Sequence, residues 1–189
     1  MGEKKSSDSL PVNRRWHLGN TAHDAVTTDF EWAILRFNEA FQRYCMQVAH
    51  VSGLGSLSFP ELILLHVIGM QERPATAALL ARQLNTDSIS NIQYGLRKLM
   101  TANLITKAQE GGGKVVTYDV TNRGRELVNL YARVRQTVLT EQTASIENVD
   151  GKLADTTRLV SILTGLYDEA ARISATYNLV DIPVTPDKA

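Results

Sequence analysis

Apolar residues near both ends of this 189-residue chain recur at alternating steps of four and three, the spacing of a narrow stripe along a long helix. Phe30, Ile34, Phe37, Phe41, Tyr44, Val48 and Val51 form the first stripe, and Leu159, Leu163, Leu166, Ala170, Ile173 and Tyr177 form the last. A shorter one, Leu127, Tyr131, Val134 and Val138, lies between them. Stripes this narrow pack on other helices. One chain of this size would struggle to cover all three around a small core, whereas two chains bury them mutually, as obligate homodimers do. The sequence therefore predicts a dimer, with Phe30, Ile34, Phe37, Leu159, Leu163, Leu166 and Ile173 in the interface.

Between the stripes the pattern changes. Gly53 and Gly55 stop the first helix, and Ser58-Phe-Pro-Glu61 has the form of a capping box opening a short apolar helix to about Met70. Pro74 breaks the chain, and Thr76 caps a third helix through Leu79, Leu80 and Leu84. Asn85, Thr86 and Asp87 then supply turn and cap chemistry. A fourth helix follows, with Ile89, Ile92, Leu96 and Leu99 on one stripe. Asp87, Ser90, Asn91, Tyr94 and Lys98 point to the opposite side, with Arg97 at the edge. After Asn103 the period falls to two on either side of Gly111, Gly112 and Gly113, which predicts a hairpin, and Thr121 caps the next helix.

This order defines the expected fold class: mostly α with a small β-wing, a winged helix-turn-helix plus terminal helices forming a dimerisation layer. The expected organisation is a flexible tail over 1–26, a dimerisation helix over 27–57 and a winged helix-turn-helix over 58–125. C-terminal dimerisation helices over 126–178 and a tail over 179–189 complete it.

The charge pattern agrees with that division. Lysine plus arginine equals aspartate plus glutamate over the whole chain, but residues 73–125 hold eight basic against three acidic groups. The flanks are acidic, with six basic against eight acidic groups before this segment and six against nine after it. A basic centre between acidic flanks suits one anionic partner on one surface. The single cysteine, Cys45, excludes an internal disulfide framework, and no signal peptide or stretch long enough to span a bilayer is evident. The expected location is the cytoplasm, without a membrane partner.

The exposed side of the fourth helix carries the functional signal. A merely solvated face would favour Glu and Lys pairs, whereas this one presents Ser90, Asn91, Gln93, Tyr94, Arg97 and Lys98. Such side chains hydrogen-bond base edges and phosphates. Thr86 and Ser88 at the helix start, Lys107 and Lys114 on the wing and Arg123 beyond it complete the expected DNA-binding set. By contrast, His17, His23, His50 and His66 have no metal-ligand spacing, and no nucleophile motif or phosphate loop occurs. Neither a metal site nor an enzyme is expected. Cys45, without an adjacent basic residue to stabilise a thiolate, reads as inert.

Residues 79–124, with Leu-Asn-Thr-Asp-Ser-Ile-Ser-Asn-Ile ahead of Leu96-Arg-Lys-Leu99, then Asn103-Leu-Ile105 and Thr121-Asn-Arg-Gly124, resemble the recognition helix, wing and helix start of the MarR family. With the flanking helices, the resemblance spans about residues 28–178. It implies a homodimeric bacterial transcriptional regulator that reads a pseudo-palindromic site in double-stranded DNA. One departure stands out: the family's wing usually carries Asp-x-Arg-Arg, and here Glu110-Gly-Gly-Gly-Lys114 replaces it. Lys107 and Lys114 remain for phosphates, and Arg123 for bracing the wing or touching the backbone.

The resemblance also implies response to a small effector, an aromatic or amphipathic organic ligand, rather than a resident cofactor. Its pocket would lie between the dimer layer and the reading head, lined by Phe41, Tyr44, His50, Phe59, Ile63 and His66. Two other functions compete: a winged-helix module for protein assembly, and a small-molecule sensor that does not bind DNA. The sensor would account for the neutral total charge and the altered wing.

Overall fold

The computed structural model describes Leu18 and residues 21–109 and 115–177. Among these residues, seven helices and one hairpin follow in order: α1 (Ala22–Val51), α2 (Phe59–Gly69), α3 (Ala77–Gln83), α4 (Ile89–Thr101), β1 (Ile105–Gln109), β2 (Val116–Val120), α5 (Asn122–Arg135), α6 (Glu141–Thr143) and α7 (Val149–Ser174). A π-helical turn, Gln136–Thr140, joins α5 to α6. The chain divides into two compact units, one ending at Val134 and one starting at Arg135.

The start of α1 corrects the expected tail boundary at 26. Thr21 and Asp24 form a reciprocal cap: the Asp24 amide donates to Thr21 Oγ1 at 3.1 Å, and the Thr21 amide donates to Asp24 Oδ2 at 2.9 Å. Two of the otherwise orphaned first-turn amides are thereby satisfied, which starts the helix at Ala22. The rest of the expected N-terminal tail, apart from Leu18, and all of the C-terminal tail lie outside the described residues.

At its far end α1 enters the core through Cys45, Val48 and Ala49, and the capping Ser52 just beyond it is buried as well. That face is turned slightly from the predicted stripe, so Val51 is exposed. Gly53, at φ +79°, then lets the chain reverse, and the Leu54 amide reaches back to the Ala49 carbonyl at 2.8 Å.

The core of the first unit is built from Leu54, Leu62, Leu65, Ile68, Leu80, Leu96 and Leu99, each less than 2% exposed. It is filled mainly by α2, which is apolar around most of its circumference as a helix enclosed by neighbours must be. α2 packs against α1, α3, α4 and β2. β1 and β2 pair antiparallel from Ile105 opposite Val120 to Gln109 opposite Val116. A further pairing is not visible in the sequence pattern. Ala75 exchanges both backbone hydrogen bonds with Tyr118, at 3.0 and 2.9 Å, tying the entry to α3 onto the wing. Pro74, read only as a breaker, also favours the extended backbone this bridge needs.

Thr121 caps α5 as predicted: its hydroxyl accepts the Gly124 amide at 3.0 Å and donates to the Asn103 carbonyl at 2.8 Å. The second unit is different in character, for no residue of α7 is buried. Tyr177, the last member of the predicted stripe, lies beyond the end of that helix. Among the described residues no helix is long and apolar enough to cross a membrane.

Candidate nucleic-acid interface

Helix α4 opens on a polar cap. Ser88 Oγ accepts the Asn91 amide at 3.4 Å and lies 3.2 Å from Ser90 Oγ, while the half-buried Thr86 accepts the Ser88 amide at 3.3 Å. Thr86 and Ser88 thus shape the turn between α3 and α4. Ile92, Gly95, Leu96 and Leu99 anchor the helix in the core. Ile89, predicted on that stripe, is instead 40% exposed, since it sits in the first turn ahead of the packed segment.

The opposite side is open, and its residues fall into two rows. At 3.6 residues per turn, Ser90, Tyr94, Arg97 and Thr101 share the outer face, with Gln93 beside them, and all five are exposed. Arg97 therefore lies on that face rather than at its edge. Asn91 and Lys98 lie on the flank facing α2. Asn91 and Tyr94 line a cavity of about 460 Å³ with Phe59 and Ile63, while Arg97, Tyr94 and Lys98 border another of about 340 Å³ with Ser56 and Leu57.

Lys98 has protein partners in this arrangement. Its Nζ is 3.3 Å from Glu61 Oε1 and 5.2 Å from the centre of the Tyr94 ring. Glu61 is a buried carboxylate at the start of α2, and its other oxygen accepts the Ser58 amide at 2.9 Å. Burial by itself would raise the Glu61 pKa, but the Ser58 bonds and the Lys98 ammonium outweigh it and hold the group below its ordinary value.

On the wing, Lys107 is exposed on β1, and Arg123 is exposed in the first turn of α5. Lys114 and the Glu110-to-Gly113 tip lie outside the described residues. The ion pair that links α5 to the wing is made by Arg125, 3.8 Å from Asp119 on β2. Arg123, offered by the sequence for a brace or a backbone contact, is on the surface beside it.

Of the six residues expected to line an effector pocket, Phe59 and Ile63 border a common cavity. Phe41 meets Phe59 edge to face, with centroids 6.1 Å apart, and stacks on Phe37 at 5.9 Å. Phe59 and Ile63 border the larger of the two cavities beside α4, whose other lining includes Leu84, Thr86, Asn91, Ile92 and Tyr94. Sequence spacing assigns the polar members of that lining to DNA alone, because it does not show which cavity they border. Tyr44 is half-buried against the core, and His50 is exposed at the end of α1. His66 stands apart, its ring 4.4 Å from that of Tyr131 and its buried Nε2 without a hydrogen-bond partner. Burial pushes its pKa below the usual value. No cluster of metal-binding side chains occurs among the described residues.

A short capped turn between α3 and α4, an α4 buried on one side and polar on the other, and a following antiparallel hairpin define a winged helix-turn-helix. Residues 57–124 match the family model of a winged helix DNA-binding domain. The wider chain has the fold of the MarR-type regulators. It is similar to the transcriptional regulator BldR from Sulfolobus solfataricus at 18% identity and TM-score 0.60, over 75% of this chain and 98% of that one. MarR of Staphylococcus aureus, solved with salicylate and kanamycin, superposes at TM-score 0.62 and 12% identity over 78% and 95% of the two chains. FabT of Streptococcus pneumoniae, solved in complex with DNA, gives 0.57 and 16% over 77% and 99%. Identities this low establish a common fold. A search of curated protein sequences finds no match.

Proposed function

We propose that the chain is a homodimeric transcriptional regulator that works in the cytoplasm, reads a pseudo-palindromic site in double-stranded DNA and responds to a small organic ligand. One observation carries this reading. α4 is fixed in the core by Ile92, Leu96 and Leu99 while Ser90, Gln93, Tyr94 and Arg97 stand exposed on its outer face. A rigid helix presenting hydrogen-bonding side chains suits insertion into the major groove, where base edges display distinct donors and acceptors. Asn91 reaches the same groove from the flank. Thr86 and Ser88 hold the helix start near the phosphates. Lys107, Lys114 and Arg123 neutralise phosphates on either side.

Two chains are needed to cover what one leaves open. On α1, Phe37 is 65% exposed and Ile34 is also exposed, with Phe30 half-buried; on α7, Leu159, Leu166 and Ile173 are exposed and Leu163 is half-buried. In this reading 27–57 and 126–178 form the dimer layer and 58–125 the reading head. The effector is an aromatic or amphipathic organic molecule bound beside Phe59 and Ile63. The salicylate held by the Staphylococcus aureus relative supports that class of ligand.

The test is enrichment of bound duplexes from a random pool, followed by electrophoretic mobility shifts of the enriched and scrambled sequences at two salt concentrations. The proposal expects an inverted-repeat consensus and binding to it at least ~1,000-fold tighter than to scrambled DNA. No enrichment would leave the assembly or sensor function in its place.

A further inference from the structure

The basic residues of the reading head do not all have free charges. The place of Lys98 on the polar side of α4 suggests a phosphate partner. Its ammonium instead lies at the seam with α2, 3.3 Å from Glu61 Oε1 and over the Tyr94 ring one turn earlier. The Glu61 side chain is only 6% exposed, so its charge has little access to water and depends on the partners it finds. Each oxygen has a separate partner: Oε2 takes the Ser58 amide that opens α2, and Oε1 takes Lys98. The carboxylate thus joins the start of one helix to the last turn of another.

We infer that Glu61 and Lys98 are a positioning pair: the ion pair fixes α4 against α2 so that Arg97 and Tyr94 meet the bases in register, and Lys98 does not contact DNA phosphate. The inference rests on the proposed DNA-reading role of α4. Removing Lys98 from a buried carboxylate would leave that charge uncompensated, so taking it to phosphate is unfavourable. Its neighbour Arg97 is exposed on the outer face, outside this ion pair, and is placed to supply charge to the DNA. Tyr94, and after it Glu61, raise the Lys98 pKa, which keeps the ammonium charged throughout the working range.

Salt dependence separates the two roles, because deleting a group that neutralises one phosphate flattens the plot of log affinity against log salt by about 0.9. Glu61→Gln keeps an acceptor for the Ser58 amide while deleting the charge, and Lys98→Met removes the cation. Each is expected to weaken binding to the enriched site about three- to tenfold, the range of an ordinary net hydrogen bond, because the Lys98 end of the pair is half-exposed and screened by water. Random-sequence binding and the salt slope should stay at wild-type values. The double variant should bind no more weakly than the weaker single variant, since both delete one interaction. Lys98→Arg should restore site binding. In the free full-length protein, amide exchange across 92–99 should quicken equally in the two single variants.

A salt slope reduced by about one unit in Lys98→Met, with equal weakening on specific and random DNA, would overturn the inference by making Lys98 a phosphate ligand. So would undiminished site binding by Glu61→Gln. A wild-type protein with no preference for any duplex would overturn the DNA-reading role first, and the inference with it. That failure is recognisable before any variant is made.

Discussion

A Cβ at Gly124 would run into the Leu104 carbonyl oxygen and the Val120 side chain, at the point where α5 leaves the wing. That oxygen already accepts the Thr121 amide at 3.0 Å, so the backbone there has little room to retreat. Gly124→Ala should therefore destabilise the first unit by about 3 kcal/mol, the upper end for overpacking, read as a shift of the urea midpoint at unchanged slope. His66 makes a second prediction at this scale. Its pKa is depressed by burial, so the unfolded state takes up its proton first as pH falls. Stability is full above the unfolded value of about 6.5 and declines as pH drops below it toward the folded pKa. Between pH 8 and 5.5 the wild-type melting temperature should fall further than that of His66→Leu; equal falls would contradict a depressed pKa. The pairing of Glu61 is legible in the sequence only in part. Glu61 reads plainly as a cap because its partner is three residues away, but Lys98 lies on another helix and no local spacing reveals it.

At the scale of elements, periodicity carries most of the fold. The α4 stripe, the hairpin and the Thr121 cap are all legible, because each depends on near neighbours. The Ala75 bridge is not, since one paired residue has no period, and neither is the cavity that joins Phe59 and Ile63 to Asn91 and Tyr94. Long-range packing decides both. The two rows on α4 and the wing predict distinct behaviour. Arg97→Ala and Tyr94→Ala should each weaken the enriched site by about 1 to 3 kcal/mol more than random DNA, measured by fluorescence anisotropy. Lys107→Ala, on the wing, should weaken both alike and flatten the salt plot by about one unit. The same weakening on all DNA for all three variants would place α4 outside the groove.

For the whole molecule, the terminal stripes matter most. The sequence shows them as more apolar surface than one chain of this kind can cover, and in the structure α7 has no buried residue while Phe37 and Leu166 remain 65% and 61% exposed. Phe37→Asp and Leu166→Asp would each place an unpaired carboxylate in the proposed interface, at a cost of several kcal/mol. Sedimentation at micromolar concentration should then show monomer or unfolded chain in place of dimer, with operator binding abolished alongside. The most direct test of the central claim, that two joined reading heads grip one DNA site, is a hydroxyl-radical footprint of the wild-type protein on its enriched duplex. Two protected patches centred about one helical turn, ~34 Å, apart, appearing together at one protein concentration, are the predicted result. A single patch, filled by a well-folded monomer that binds as tightly as the dimer would, contradicts it.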